Sequence, residues 1–275
     1  MLNENYHIAI PTAFFENEEL NIDNTINHIQ NLYVKGIKSV LVCGSTGEQH
    51  SLSIGEKLKL IEALNLHQLT KNMEVIFGVS SVRQTDALIL AEAINKTDIS
   101  GIMLGFPPYI QPTQKEIMTY TKEIMESAKK PTILYNNPSR TGFDLKEETI
   151  IELFNTEDSI IGLKEAGQKG EKSISNIKNR CKGIFIYAGG EVNLEFKINI
   201  GFNRLSSIGG NVAPIEIRNW FNRFLINKSN PEEDDKIKEI LKSIFTEGSA
   251  IFNVKYYLNK QGIQMGVCRS PIGNI

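Results

Sequence analysis

The strongest constraint in the sequence is a regular alternation between short apolar runs rich in β-branched residues and longer amphipathic stretches. Such apolar runs are typical of strands buried on both faces, and the longer stretches have the spacing of amphipathic helices. Eight runs predict strands at residues 8–14, 39–42, 75–78, 101–104, 132–136, 160–164, 183–188 and 205–208. Helices are predicted between them, for example at residues 22–34, 55–69, 84–95, 114–128 and 192–200.

Eight strand–helix units predict an α/β protein with a closed (β/α)₈ barrel, a TIM barrel, over residues 1–226. An open, doubly wound parallel sheet is the alternative that the alternation also allows. A polar segment with a proline follows at residues 227–235, and then two helical patterns at residues 235–245 and 248–258. We therefore expect residues 227–275 to form a small C-terminal helical appendage.

Composition excludes several classes of function. Lys and Arg number 30 and Asp and Glu number 32, which gives a net charge of −2 and disfavours a nucleic-acid-binding surface. No apolar run approaches the roughly 18 residues of a membrane span, and the N-terminus has no signal-peptide pattern. Three widely spaced cysteines favour a reducing, cytoplasmic location. Four histidines without ligand spacing predict no metal site.

Catalytic groups of a β/α barrel lie at the carboxyl ends of its strands, so Lys164 is the first candidate. It ends the sixth predicted strand in the segment GLKEAG. Burial in the barrel mouth disfavours the ammonium form, and a neutral amine can form a Schiff base with a ketone. The alternative is a solvated lysine just past the strand, paired with Glu165.

The fifth predicted strand ends in YNNPSRTG and supplies two further candidates. Tyr135 can relay protons as a general acid or base, or it can pack at the barrel rim. Arg140 can hold a substrate carboxylate through two hydrogen bonds, or it can form a structural ion pair.

Four other loops carry weaker signals. The segment CGSTGE, with Ser45 and Thr46, offers hydroxyl and backbone N–H groups to an anion, but it is not a phosphate-binding P-loop. The segment GFPPYIQP holds Tyr109 in a proline-stiffened loop. Small residues around Gly189 and Ser206, in AGGE and SSIGGN, leave room for a small ligand or simply form tight turns.

Taken in order, the segments GSTGE, PPY, YNNPSRTG, GLKEAG and SSIGGN resemble the dihydrodipicolinate synthase and N-acetylneuraminate lyase family. The resemblance extends from about residue 8 to the RSPIG segment at residues 269–273. It implies a barrel with a C-terminal helical domain and the chemistry of a class I aldolase. In that chemistry a lysine forms a Schiff base with pyruvate without any cofactor, and the enamine adds to an aldehyde.

The resemblance assigns the catalytic roles. Lys164 occupies the Schiff-base position and Tyr135 the position of the catalytic tyrosine. Ser45 and Tyr109 match the other members of a proton-relay triad, with serine in place of the commoner threonine. The counterpart of Tyr109 reaches the active site of a neighbouring subunit, which implies a homodimer or homotetramer.

The resemblance also assigns the substrate-binding roles. Thr46 matches the residue that holds the pyruvate carboxylate, and Ser206 lies where a backbone carbonyl lines the pyruvate pocket. Arg140 matches the arginine of the synthase branch, which holds the carboxylate of aspartate semialdehyde, whereas sialic-acid lyases resemble YNIPALSG at this place.

Several departures from the family pattern leave the identity of the aldehyde substrate undecided. Asn137 replaces the usual valine, Gly190 with Glu191 replaces an acidic pair, and Arg204 replaces a glycine. The chain also stops soon after RSPIG, so we expect a C-terminal domain without its final helix.

The resemblance favours condensation of pyruvate with L-aspartate 4-semialdehyde. The alternatives are a sister aldolase that cleaves a 2-keto-3-deoxy sugar acid or N-acetylneuraminate, and a keto-acid-binding barrel without activity.

Overall fold

Eight parallel strands pair in chain order and close into a barrel in a computed structural model, which describes residues 2–228, 230–246 and 248–273. The strands are β1 (Tyr6–Ala9), β2 (Ser39–Val42), β3 (Glu74–Val79), β4 (Gly101–Gly105), β5 (Thr132–Asn136), β6 (Ile160–Glu165), β7 (Phe185–Ala188) and β8 (Arg204–Ser207). Pairing of Tyr6 with Leu205 and of Ile8 with Ser207 joins β1 to β8. This closure confirms the predicted barrel and excludes the open sheet.

Helices surround the barrel and continue beyond it. In the described part of the chain they are α1 (Ile22–Val34), α2 (Ile54–Leu66), α3 (Leu69–Asn72), α4 (Gln84–Asn95), α5 (Gln114–Ala128), α6 (Pro138–Thr141), α7 (Glu147–Thr156), α8 (Glu171–Arg180), α9 (Leu194–Asn199), α10 (Pro214–Leu225), α11 (Pro231–Phe245) and α12 (Ala250–Lys260). None of these helices has the length and apolar character needed to cross a membrane.

The largest differences between prediction and structure are in the first strand, in the helix after β2 and in α11, which begins at Pro231 and not at residue 235. The first strand was predicted at residues 8–14 but β1 ends at Ala9, shortly before Pro11, whose nitrogen cannot donate to a sheet. The apolar run continues because Phe14 pairs instead with Leu20 and Gly266 in isolated bridges. The single helix predicted at residues 55–69 is divided into α2 and α3 by left-handed backbone at Gln68 (φ 52°).

Apolar residues pack against the strands in two layers of core, and a smaller third cluster lies around the C-terminal helices (Ala13, Ile244, Val254, Leu258 and Met265). One layer fills the barrel itself and consists of Leu2, Ala9, Leu41, Ile76, Met103, Ile133 and Tyr187. The larger layer lies between the outer face of the strands and the helices and includes Ile8, Val40, Leu104 and Leu163. Each fully buried aliphatic side chain contributes roughly 1.5–3 kcal/mol relative to an exposed one. The two layers therefore hold the strand ends rigidly around the barrel mouth.

The C-terminal segment is attached to the barrel mouth by a buried ion pair. Lys255 of α12 lies with its Nζ 2.6 Å from Oε1 of Glu48, in the loop after β2, and both side chains are buried. The Lys255 Nζ also donates to the carbonyl of Val267 at 2.7 Å, and the backbone N–H of Arg269 donates to Glu48 Oε2 at 2.9 Å. The carboxylate and the ammonium therefore both have further partners, as a buried ion pair requires.

We predict that Lys255→Met destabilises the protein by about 3–5 kcal/mol, because it leaves the Glu48 carboxylate buried without its cation. The double variant Lys255→Met/Glu48→Gln should regain more than half of the loss, since no uncompensated charge remains. Denaturant unfolding measures both effects, with the exposed Lys260 of the same helix as the matched control (Lys260→Met). A Lys255→Met variant as stable as the control would contradict a stabilising role for this pair.

Candidate active site

Lys164 lies near the end of β6, and its side chain points into the barrel mouth. The residue is 7% exposed, and its Nζ lies 4.6 Å from the ring centroid of Tyr135, its register partner on β5. Burial lowers the pKa of Lys164 below that of a solvated lysine, and the Arg140 guanidinium adds to the effect, whereas Tyr135 and Glu191 oppose it. The amine is therefore more often neutral, and nucleophilic, near neutral pH than an ordinary lysine.

Tyr135 places its phenol next to this amine. Nδ2 of Asn137 donates a hydrogen bond to Tyr135 Oη at 2.7 Å. Burial raises the pKa of the Tyr135 phenol, but the Lys164 ammonium and hydrogen bonding to Asn137 and Ser45 outweigh it, so the pKa falls below its ordinary value. A phenol with a lowered pKa next to an amine with a lowered pKa is suited to carry protons.

The loop after β2 brings Ser45 to the same mouth. Cys43 and Glu48, on either side of Ser45 in this loop, both have left-handed backbone, with φ of 55° and 53°. The loop folds closely over the end of β3, where Gly78 has no side chain: a Cβ there would collide with the carbonyl oxygen of Cys43. The glycine therefore allows the approach that places Ser45 near Tyr135.

A cavity of about 340 Å³ lies at this mouth, a size suited to a small metabolite. Four of the predicted site residues line it, namely Ser45, Tyr135, Arg140 and Lys164. Its lining carries the cationic side chains Lys164 and Arg140 and, among the described residues, no carboxylate. The cavity is thus electrostatically suited to an anionic ligand.

Arg140 and Tyr109 occupy neighbouring loops, but only Arg140 lines the cavity. Arg140 lies on α6, is exposed, and reaches the cavity lining. Tyr109 is 89% exposed and does not line the cavity of its own subunit. Its backbone is left-handed (φ 76°), and its N–H donates to the Thr141 carbonyl at 3.2 Å, which holds the ring outward.

Three predicted binding residues lie outside the cavity lining. Thr46, next to Ser45, is buried. Ser206 is fully buried on β8, and its hydroxyl has no hydrogen-bond partner in the described part of the chain. Gly189 follows β7 and contacts Ala166 so closely that a Cβ would lie 2.7 Å from the alanine side chain. A close approach of two loops therefore accounts for this glycine.

The lining also contains residues to which sequence reasoning gave no role, among them Gln49, His50, Asn137 and Ile272. Gln49 and His50 directly follow the GSTGE segment, so their position along the chain could have indicated them. Ile272 belongs to the RSPIG segment, which marked the family but carried no predicted role. Asn137 was noted as a departure from the family, and its contact with the phenol depends on a side-chain rotamer that no pattern reports.

Comparisons with known proteins agree with this geometry. A sequence model described as the dihydrodipicolinate synthetase family matches residues 4–275. Curated 4-hydroxy-tetrahydrodipicolinate synthases from Lachnoclostridium phytofermentans and Methanococcus maripaludis are 29% and 30% identical to the chain, each over 96% of it and 90% of the relative. A crystal structure of a dihydrodipicolinate synthase superposes with a TM-score of 0.84 at 27% identity, over 98% of this chain and 93% of that one. With a matching family model, full-length relatives and the same barrel, the chain belongs to the dihydrodipicolinate synthetase family.

Proposed function

We propose that the protein is a Schiff-base-forming synthase that condenses pyruvate with L-aspartate 4-semialdehyde, a cytoplasmic step of lysine biosynthesis. The observation that carries the proposal is the buried amine of Lys164 beside the Tyr135 phenol, in a cavity that the Arg140 guanidinium also lines. The curated relatives with the name 4-hydroxy-tetrahydrodipicolinate synthase support this choice of reaction within the family.

The proposed reaction begins when neutral Lys164 adds to the keto carbon of pyruvate. The carbinolamine loses water to give an imine, and Tyr135 with Ser45 moves the protons that this exchange requires. Transfer of a methyl proton to the relay of Tyr135 and Ser45 gives the enamine. Its carbon attacks the aldehyde of the second substrate, and the relay returns the proton to the alkoxide that forms. The amino group of that substrate then attacks the imine carbon and releases Lys164, so no cofactor is needed.

The hydrogen-bond donors and the positive charge around the cavity suggest where the carboxylates of the two substrates, pyruvate and the aldehyde, bind. Pyruvate is proposed to place its carboxylate toward the loop of Ser45 and Thr46, whose hydroxyl and backbone N–H groups are donors. The family resemblance also assigns the backbone of Ser206 and the small residue Gly189 to pyruvate binding, although neither residue lines the cavity. Arg140, on the opposite loop, is proposed to bind the carboxylate of the aldehyde through its guanidinium.

We predict that borohydride reduction in the presence of pyruvate traps an adduct on the peptide that contains Lys164. Lys164→Arg should abolish trapping, because a guanidinium does not lose its proton in a protein. Mass spectrometry of the digest locates the adduct, and the exposed Lys182 offers a matched control (Lys182→Arg) that should trap normally. An adduct on another lysine, or none, would refute the mechanism.

A coupled assay tests the proposed identity of the aldehyde substrate. Pyruvate with L-aspartate 4-semialdehyde should turn over, whereas cleavage of N-acetylneuraminate or 2-keto-3-deoxygluconate should be slower by orders of magnitude. Faster cleavage of either sugar acid would show that the protein is the sister aldolase and not the proposed synthase. Binding of pyruvate without turnover of any of the three would favour the inactive keto-acid-binding barrel.

We predict that Arg140→Ala raises the KM for the aldehyde about 10- to 100-fold and leaves pyruvate trapping nearly intact. A lost charge-assisted hydrogen bond accounts for a change of this size. Steady-state kinetics with each substrate varied in turn measures it. Arg180→Ala, which removes an exposed arginine of α8, is the matched control. An equal loss for pyruvate would contradict the assignment.

We also propose that the working form is a homodimer or a homotetramer in which Tyr109 enters the cavity of a neighbouring subunit. The outward ring of Tyr109 and the exposed Ile110 beside it support this proposal, because large exposed aromatic and aliphatic side chains side by side favour contact with a partner.

Hybrid complementation tests the shared site. Lys164→Arg and Tyr109→Phe chains should each be nearly inactive alone. Co-refolded hybrids should regain about half of the wild-type activity per dimer, since one cavity then combines an intact Lys164 with an intact Tyr109 from the other chain. If Tyr109 acts within its own subunit, no hybrid contains an intact site and activity stays low.

A further inference from the structure

Asn137 occupies a position where asparagine normally serves the backbone. It directly precedes the short helix α6, at the N-cap, where an asparagine side chain usually accepts a hydrogen bond from the first turn. Here the side chain makes no capping hydrogen bond. Its amide instead donates to the phenolic oxygen of Tyr135 at 2.7 Å. The usual structural reason for an asparagine at this place is therefore absent.

Two hydrogen bonds hold the side-chain amide of Asn137 between Ser139 and Tyr135. The hydroxyl of Ser139 donates to Asn137 Oδ1 at 2.8 Å, which leaves Nδ2 facing the phenol. The Asn137 carbonyl accepts hydrogen bonds from the N–H groups of Arg140 and Thr141, both at 3.1 Å, and from the Thr141 hydroxyl at 3.1 Å. The residue is 6% exposed and lines the cavity. Backbone and side chain are thus both held in place.

We propose that Asn137 is a positioning residue for the proton transfer, whose amide holds the phenolic oxygen of Tyr135 beside Lys164 and stabilises that oxygen when it has lost its proton. The inference rests on the proposed function, since it concerns the proton carrier of that reaction. A hydrogen bond to a charged acceptor is about twice as strong as one to a neutral acceptor. The amide therefore stabilises the phenolate more than the phenol, as the lowered pKa of Tyr135 also indicates.

Other ionisable groups face the phenol, and the test has to separate them. Lys164 comes from β6, Arg140 from α6, and His50 and Cys43 from the loop after β2. Burial lowers the pKa of His50 below its usual value, and burial raises the pKa of Cys43 to about 12. Lys164 and Tyr135 each shift the pKa of the other, so an activity profile alone cannot distinguish the two groups.

The ultraviolet absorbance of tyrosinate reports Tyr135 directly. Subtracting the titration of a Tyr135→Phe variant isolates this phenol from the other tyrosines. Asn137→Leu keeps the shape of the side chain but has neither donor nor acceptor. We expect it to lower the acid dissociation constant of Tyr135 about 10- to 100-fold, which is an upward move of the midpoint by about one to two pH units.

The direction in which the titration midpoint of Tyr135 moves in Asn137→Leu tests the proposal. A downward move in Asn137→Leu would mean that the amide carbonyl faces the phenol, and an unchanged midpoint in a folded variant would leave Asn137 a purely structural residue. Either result overturns the proposal. Should Asn137→Leu fail to fold, Asn137→Ala, which removes the amide donor and adds no charge, should also move the midpoint upward.

Two further variants separate the amide from the loop that carries it. Ser139→Ala frees the amide to rotate and should give a smaller upward shift. Thr141→Val removes a hydrogen bond to the Asn137 backbone without touching the amide, and it should leave the Tyr135 midpoint unchanged. A shift in Thr141→Val as large as in Asn137→Leu would mean that loop movement is the cause, and would refute the proposal.

Kinetics links the titration to the reaction. In Asn137→Leu the rate of pyruvate trapping should fall and its alkaline limb should move with the Tyr135 midpoint, while Lys164 remains the labelled residue. If wild-type protein traps no pyruvate, the proposed function fails although the tyrosinate titration still reports the hydrogen bond. If wild-type protein traps pyruvate and the Asn137→Leu rate profile is unchanged, only the role of Asn137 fails.

Discussion

Pairing of β1 with β8 is the constraint on which the candidate site depends. Because all eight strands are parallel, closure brings their carboxyl ends into one ring. Lys164 and Tyr135 are register partners on β6 and β5, so the alternation of side chains sends both into the barrel interior at the same level. A shift of either strand by one residue would turn its functional side chain into the layer between strands and helices, where neither amine nor phenol could reach a ligand.

Two buried lysines show how the surroundings decide what an amine does. Burial lowers the pKa of both Lys164 and Lys255. At Lys255 the Glu48 carboxylate lies 2.6 Å away and a backbone carbonyl accepts a second hydrogen bond, which favours the ammonium form and opposes the lowering. Lys164 faces an aromatic ring and a phenol and has no carboxylate within ion-pair distance in the described residues. The first arrangement stabilises structure, and the second leaves the amine free to lose its proton.

The sequence predicts those parts that depend on neighbours along the chain. Helices α1, α4 and α5 and strands β2 and β5 have the predicted bounds, because apolar periodicity records which face of each element is buried. The end of β1 was wrong because Phe14 is apolar for a different reason: it packs with the C-terminal segment. Four of the eight predicted site residues line one cavity, as strand ends in a barrel should. The contacts of Glu48 with Lys255 and of Asn137 with Tyr135 could not be predicted, since one spans most of the chain and the other depends on a rotamer.

The same loop after β2 joins stability to the chemistry. Ser45 of this loop lies at the cavity, and Glu48, three residues further along it, forms the buried pair with α12. The segment after α12 then returns to the cavity, where Ile272 completes the lining. Removing the charge on Lys255 would therefore affect both stability and the active site. Glu48 would be buried without a cation, and the loop that carries both Glu48 and Ser45 would have to move to expose the carboxylate to water. The C-terminal helices thus belong to the construction of the site, although none of them contributes a side chain to the proposed reaction.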